Sequence, residues 1–433
     1  MKSKSILVVG NINHFSPRIT SYCQEWINEK NTKITILSPS PENHTISHLL
    51  KNHKISFISL GRTKSNIEYL RDIFIKIRNI RQPNRNFDSS QILYPIKMRN
   101  KFLFLAKTLC FPDEESEFLI KAFRFAHKMN LADFDFIISS APYFSSHVIA
   151  HFMKKKNKDL FWLADCRDTF STNPTYRVAK FRKWLDKKFE NYILSSSDII
   201  TTVSKAYKMQ LESVVKKNIP IKIMPSGYRH SHFERRNGER IASENIIFIG
   251  YYGQYFDEYY PTDYIYEVLS KLKEELYSRG YILKINFFGC TNPVIARKLS
   301  NLGAIFTKRL SRNEIDRIQR KADINLIFSN GCSEHFGLSH LKLYEYLHAG
   351  RMVLAITEGV TEEIKKADSF NKNFIIFDSK NNSASYSLLE NICKKVIENV
   401  RNPHNFYVRP AYLNSSKVLS KSMFNELCSS KNI

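Results

Sequence analysis

Lys342 and Glu345, three residues apart in one short predicted helix, offer the clearest chemistry in this chain. The stretch from Asp323 to Ile356 sets their context. Ile324–Phe328 is an apolar run that reads as a buried strand, and Ser329–Leu338 is a glycine-bearing loop. Ser339–Ala349 reads as a helix with Gly350 at its C-terminal cap, and Met352–Ile356 as the next strand. Such a unit brings a loop and a helix N-terminus to the carboxyl edge of a parallel sheet, where anions bind. Residues i and i+3 of a helix share a face. The Lys342 cation there suits a phosphate, and the Glu345 carboxylate one turn further in suits sugar hydroxyls. In the loop, backbone N–H groups of Ser333, Gly337 and Leu338 suit phosphate oxygens, and Glu334 is close enough to reach a sugar. The plainer readings are a solvated Lys342–Glu345 helix pair and a turn glycine at Gly337.

The first half carries weaker candidates. His147 opens a predicted helix after Ser139-Ser140-Ala141-Pro142. With the ordinary imidazole pKa of about 6.5 it suits proton handling near neutrality; a packing histidine is the alternative, and His14 is a lesser rival. Asp165, Arg167 and Asp168 end a strand, with Asp168 able to orient a hydroxyl and Arg167 to form a structural pair. Lys308-Arg309-Leu310 offers a cation to a base or a phosphate, or only to solvent. Tyr94–Phe111 (YPIKMRNKFLFLAKTLCF) mixes four basic residues with apolar ones and no acid. It reads either as a helix in an anionic membrane interface or as a core-facing helix with snorkelling lysines.

These residues need a scaffold, and the chain supplies an alternating one. Strand-like runs at Ser5–Gly10, Lys33–Leu37, Ile55–Leu60, Phe136–Ser139, Leu160–Ala164, Ile199–Val203 and Ile221–Met224 are interleaved with helical patterns at Pro17–Glu29, Ser116–Met129, Ser145–Lys156 and Tyr176–Leu194. A second series has strands at Ile246–Gly250, Leu283–Phe288, Ala304–Phe306, Ile324–Phe328, Val353–Ile356 and Phe374–Phe377. Its helices are expected at Asp263–Tyr277, Asn313–Arg320, Ser339–Ala349 and Ser385–Val400, with a helical tail in Asn405–Leu427. The alternation predicts two doubly wound α/β domains. The expected division is residues 1–228, a linker at 229–240, a second domain at 241–390, and C-terminal helices at 391–433 that cross back to the first.

Composition narrows the function. With 433 residues the chain exceeds one ordinary core, and 43% hydrophobic content excludes global disorder. A net charge of +25 favours polyanionic surroundings, whether nucleic acid, anionic lipid or a phosphorylated substrate, or simply reflects a lysine-rich composition. The seven cysteines show no paired or metal-type spacing, so neither a disulfide framework nor a metal site is expected. The opening MKSKSILVVGNINHF has too short an apolar run for a signal sequence, and no run of about 18 apolar residues predicts a spanning helix. A cytoplasmic protein is expected, with peripheral attachment to the inner membrane face through Tyr94–Phe111 as an option.

Several segments, in order, resemble the GT-B-fold glycosyltransferases that use nucleotide-sugar donors, particularly those of bacterial surface polysaccharides: IISSAPYFSSHVIAHF (137–152), LADCRD (163–168), SSDIITTVSKA (196–206), MPSGYRHSHF (224–233), IIFIGYYG (246–253), INFFG (285–289) and KLYEYLHAGRMVLAI (342–356). The resemblance implies two Rossmann-like domains facing a cleft. It implies a nucleotide-sugar donor as substrate rather than a cofactor, a saccharide or lipid-linked saccharide acceptor, transfer with retention, and no metal. Glu345 matches the family glutamate that holds the donor ribose. Lys342, Gly337, Leu338, Ser333, Glu334, Arg309 and Gly253 complete the expected donor site, and His147, Asp168 and Lys342 the expected catalytic set. Where many members carry an arginine and a lysine for the diphosphate, this chain has YYGQYFDEYYP (251–261), so Lys342 or Arg309 must supply the cation. Gly337 stands where relatives have a second glutamate, and the first loop, GNINHFSPR, holds only Gly10. The rival readings are a GT-B sugar-nucleotide epimerase, a degenerate scaffold, and a basic polyanion-binding protein. Nucleic acid is not expected, for no helix-turn-helix, zinc module or RNA-binding aromatic motif is present.

Overall fold

The computed structural model describes the chain except for residues 1–3, 13–16, 29–30, 42–51, 67, 70–71, 73–103, 105–107, 174–175, 177, 226–239, 241–242, 258, 331–340, 371–372, 382–385, 402–415 and 431–433. Ser333, Glu334, Gly337, Leu338, His14 and most of Tyr94–Phe111 therefore lie outside the described residues. The chain divides into one unit of Met1–Pro225 with Ser416–Ile433, and another of Ser226–Ser415.

The first unit runs β1 (Lys4–Val9), α1 (Pro17–Trp26), β2 (Thr32–Ser38), β3 (Ile55–Ser59), α2 (Ser116–Lys128), β4 (Phe136–Ser140), α3 (Ser145–Lys156), β5 (Phe161–Asp165), α4 (Lys180–Leu194), β6 (Ile199–Thr202), α5 (Lys205–Val214) and β7 (Ile221–Ile223). Its seven strands order as β3-β2-β1-β4-β5-β6-β7, with every pairing parallel. The second unit runs β8 (Ile246–Tyr252), α6 (Thr262–Ser278), β9 (Ile282–Phe288), α7 (Pro293–Ser300), β10 (Ile305–Thr307), α8 (Arg312–Lys321), β11 (Ile324–Asn330), α9 (Leu341–Ala349), β12 (Met352–Glu358), α10 (Glu362–Phe370), β13 (Phe374–Asp378) and α11 (Tyr386–Arg401). Its six strands order as β10-β9-β8-β11-β12-β13, also parallel. The last helix, α12 (Ser416–Ser430), returns to the first unit and packs on α1, where the Trp26 indole N–H donates to the Ser420 carbonyl at 2.8 Å.

Both sheets are covered on both faces, which explains their unbroken apolar strands. Successive residues of a strand point to opposite sides. Leu7 and Val9 thus join one core while Ile6 and Val8 join the other. In the second unit Leu354 and Ile356 face one core, and Val353 and Ala355 the opposite one. The buried Asp323 locks β11 beside β8: it takes a two-pronged bond from Arg240 at 2.6 and 2.9 Å, and a third from the Phe248 N–H at 2.9 Å.

Three differences from the sequence expectation have local causes. β8 continues through Tyr251 and Tyr252, which the sequence reading left in the loop; both rings are buried in the core and so prolong the strand. α4 starts at Lys180 rather than Tyr176, because Ala179 is extended (φ −61°, ψ 147°). Helices α5, α7 and α10 were not expected. Two of them carry legible start signals: the Ser204 hydroxyl accepts from the Tyr207 N–H, and Asn292 caps α7 with Pro293 in its first turn. The helix holding Lys342 ends as expected, with Gly350 at φ +69°.

Candidate active site

In the second unit the carboxyl ends of β8, β9, β10 and β11 surround a cavity of about 540 Å³. The strand order reverses between β8 and β11, the position at which open parallel sheets leave a crevice for ligands. The volume suits a nucleotide. Lys342, Glu345, Gly253 and Arg309 all line it, joined by Tyr251, Tyr252, Phe288 and Phe328.

The helical spacing of Lys342 and Glu345 aims both side chains into this space. Lys342 donates to the Tyr251 hydroxyl at 3.0 Å, and its ammonium lies 4.3 Å from the centre of that ring. The Tyr251 hydroxyl in turn donates to the Gln254 carbonyl at 2.7 Å, so its proton is committed and its lone pairs face the lysine. Burial in this aromatic nest pulls the Lys342 pKa down to about 8, against the nearby Glu345 carboxylate, which favours the ammonium. Glu345 itself is only 8% exposed. Lys342 is thus a half-buried cation held by a π-face, one hydroxyl and the nearby Glu345 carboxylate, and an entering diphosphate would add further counter-charge to it.

Gly253 makes this placement possible. It sits at φ +112°, and a Cβ there would stand 3.0 Å from Lys342 Cε and 3.1 Å from Nζ. Arg309 is exposed on the opposite rim, its backbone beside Gly289. Among the described residues, the buried Tyr252 hydroxyl and Gln319 Nε2, both on residues lining the cavity, lack a hydrogen-bond partner. Sequence reasoning missed Tyr251, Tyr252 and Gln319. The tyrosines were visible only as an aromatic run, and Gln319 carried no signal.

The first unit has its own pocket at the carboxyl edge, about 180 Å³, lined by Asp113, Glu114, Pro142, Tyr143, Asp168, Thr169, Phe170 and Tyr176 among others. Asp113 caps α3 by accepting from the Ser145 N–H at 2.7 Å and its hydroxyl at 2.6 Å. Behind the wall Glu115 accepts from Asn11 at 3.1 Å, and burial pushes its pKa up to about 7. Asp168 is half exposed and 3.8 Å from Arg167. Asp165 instead is a structural acid, bound to the Ser140 and Thr201 hydroxyls at 2.9 Å each.

His147 does not line this pocket. It is 1% exposed, with Nδ1 2.7 Å from the Ser139 hydroxyl and Nε2 3.7 Å from Cys166 Sγ. Burial lowers its pKa to about 4. The expectation of an ordinary imidazole is thereby corrected, since the ring is a neutral core element at neutral pH.

No family model matches the chain, and no curated protein matches it closely. Solved structures do. A glycosyltransferase from Rickettsia africae superposes at TM-score 0.56 and 14% identity, covering 99% of each chain. An Anabaena protein solved with UDP and glucose gives 0.56 at 11% identity, covering 98% of this chain and 99% of its own. A Listeria monocytogenes protein assigned as a UDP-N-acetylglucosamine 2-epimerase gives 0.54 at 9%, covering 99% and 96%. At these identities the likeness is one of architecture: two Rossmann-like domains, with parallel sheets of seven and six strands, in the GT-B fold.

Proposed function

We propose that this chain is a glycosyltransferase that moves a sugar from a nucleoside diphosphate to a hydroxyl of a saccharide or lipid-linked saccharide in surface-polysaccharide synthesis. The observation that carries the reading is the half-buried Lys342, its ammonium against the Tyr251 ring and hydroxyl, one helical turn from the buried Glu345, in a nucleotide-sized cavity at the sheet's switch point. Lys342 holds the diphosphate, and Glu345 accepts from the ribose diol. When the bond between the anomeric carbon and the diphosphate breaks, its electron pair leaves with the diphosphate. The Lys342 ammonium is already in place in a low-dielectric site to stabilise that charge. The acceptor oxygen bonds to the anomeric carbon, and its proton passes to the departing diphosphate oxygen. Asp168, at the rim of the first unit's pocket, is our candidate to orient that hydroxyl. Retention belongs to this reading through the family resemblance.

Thermal shift with UDP, GDP, ADP and CMP tests the donor site. A ligand at about 100 times its Kd adds roughly 2.7 kcal/mol. One nucleotide should raise Tm by several degrees, and Glu345→Ala should abolish that rise while leaving the unliganded Tm in place. A panel without any shift would overturn the reading. The Listeria neighbour keeps a second reading, sugar-nucleotide epimerisation, in play. NMR of the donor incubated without an acceptor separates the two, since only an epimerase converts the sugar.

A further inference from the structure

Helix α4 carries an unusual outer face. Phe181 (65% exposed), Trp184 (57%), Leu185 (44%) and Tyr192 (56%) are all displayed to solvent. Their spacing of i, i+3, i+4 and i+11 sets them in one stripe. The stripe extends sideways onto Leu109 (72%) and Phe111 (46%), because Phe111 packs 4.7 Å from the Phe189 ring and Arg182 donates to the Thr108 and Pro112 carbonyls at 2.8 Å.

The charges are sorted just as sharply. Lys180, Lys183, Lys187 and Lys188 are all exposed, and the Lys188 ammonium lies 3.9 Å above the Trp184 ring. The helix's two acids, Asp186 and Glu190, are turned inward and buried. Asp186 binds Arg182 and the Tyr176 hydroxyl, at 2.8 and 2.9 Å, and Glu190 binds the Ser171 N–H at 3.0 Å. The outer face is therefore aromatic, aliphatic and positive, with no carboxylate of its own.

We propose that this face of α4 docks on an anionic membrane surface. Aromatic and leucine side chains reach the boundary between headgroups and acyl chains, while lysines meet lipid phosphates. A second copy of the chain fits poorly, since a two-fold contact would set lysines against lysines. Nucleic acid accounts for the lysines but not for the exposed Leu109 and Leu185. The inference is independent of the donor site and rests on α4; of Tyr94–Phe111, where the sequence had suggested membrane contact, only the end at Leu109 and Phe111 adjoins this face.

The chain reports on itself. Of its three tryptophans, Trp26 and Trp162 are buried at 1% and 0%, so a change in emission on adding vesicles comes from Trp184. The full chain should show a blue shift and co-sediment with vesicles of phosphatidylcholine mixed equally with phosphatidylglycerol. Phosphatidylcholine alone should give neither, and added salt should weaken the binding. Lys183→Glu with Lys187→Glu should lower vesicle affinity by about five-fold per residue or more. Phe181→Ser with Leu185→Ser should remove the blue shift, and both variants should keep the nucleotide-induced Tm rise. Absence of binding, binding unchanged in both variants, self-association through this face, or binding to DNA with no response to vesicles would each overturn the proposal.

Discussion

Both pockets lie at the carboxyl edge of a parallel sheet, yet they present opposite charge. In the second unit the carboxyl edge holds a half-buried lysine against Tyr251, with Glu345 beside it. In the first, the carboxyl edge holds Asp113, Glu114 and Asp168 against Tyr143 and Phe170, and among the described residues no lysine or arginine lines it. In a chain of net charge +25 the acidic pocket runs against composition. On the proposed reading, side-chain charge tells the two crevices apart: one suits a phosphorylated ligand, the other a hydroxylated, unphosphorylated one.

The strongest way to break this contrast is Lys342→Met. Loss of a hydrogen bond to a charged partner costs about 1.5–3 kcal/mol, so nucleotide affinity by calorimetry should fall roughly 10–100-fold. Stability should hold or rise, because a buried charge is exchanged for an apolar chain of similar size. The pH dependence sharpens the point. With its folded pKa near 8, below the ordinary 10.5, Lys342 binds fewer protons in the folded than in the unfolded state over that window. The unliganded protein should therefore gain stability, by up to about 3 kcal/mol, as pH rises from about 8 to 10.5. Nucleotide affinity should fall over the same range as the ammonium is lost. Lys342→Met should abolish both trends in difference measurements.

Glu115→Gln tests the other side. Its folded pKa, about 7, exceeds the ordinary 4.5, so its contribution is present below pH 4.5 and lost as pH rises through 7. The variant should be more stable than the parent at pH 8, by up to about 3 kcal/mol, and indistinguishable near pH 4 by denaturant titration. Equal stability at both pH values would mean that burial does not govern this wall.

Gly253→Ala should lower stability by about 1 kcal/mol, because φ +112° strains an alanine, and should weaken nucleotide binding by displacing the Lys342 tip. An unchanged affinity would show that the lysine's position is not set there. Tyr251→Phe keeps the ring under Lys342 and removes only the hydroxyl, and a loss of a few-fold, about 1 kcal/mol, is expected by the same calorimetry.

Much of this architecture could be read from the chain because its causes are local. Ile324–Phe328 and Val353–Ile356 are continuous apolar runs that only a doubly covered strand accommodates, and Gly350 can end a helix because its left-handed φ is free of a Cβ clash. The i, i+3 step alone put Lys342 and Glu345 on one face. What the sequence alone could not decide was burial. The YYGQY run was read as loop, and only the core against Phe287 and Phe328 made Tyr251 a strand residue and the lysine's seat. His147 was open to two readings, proton handling and packing, and only the tertiary contacts with Ser139 and Cys166 favour packing. The acidic pocket joins Asp113 and Glu114 to Asp168, more than fifty positions away, which no spacing rule connects. Periodicity and caps are fixed by neighbours within a turn or two. Desolvation, and with it the charge and reach of each site residue, depends on which distant segments pack over it.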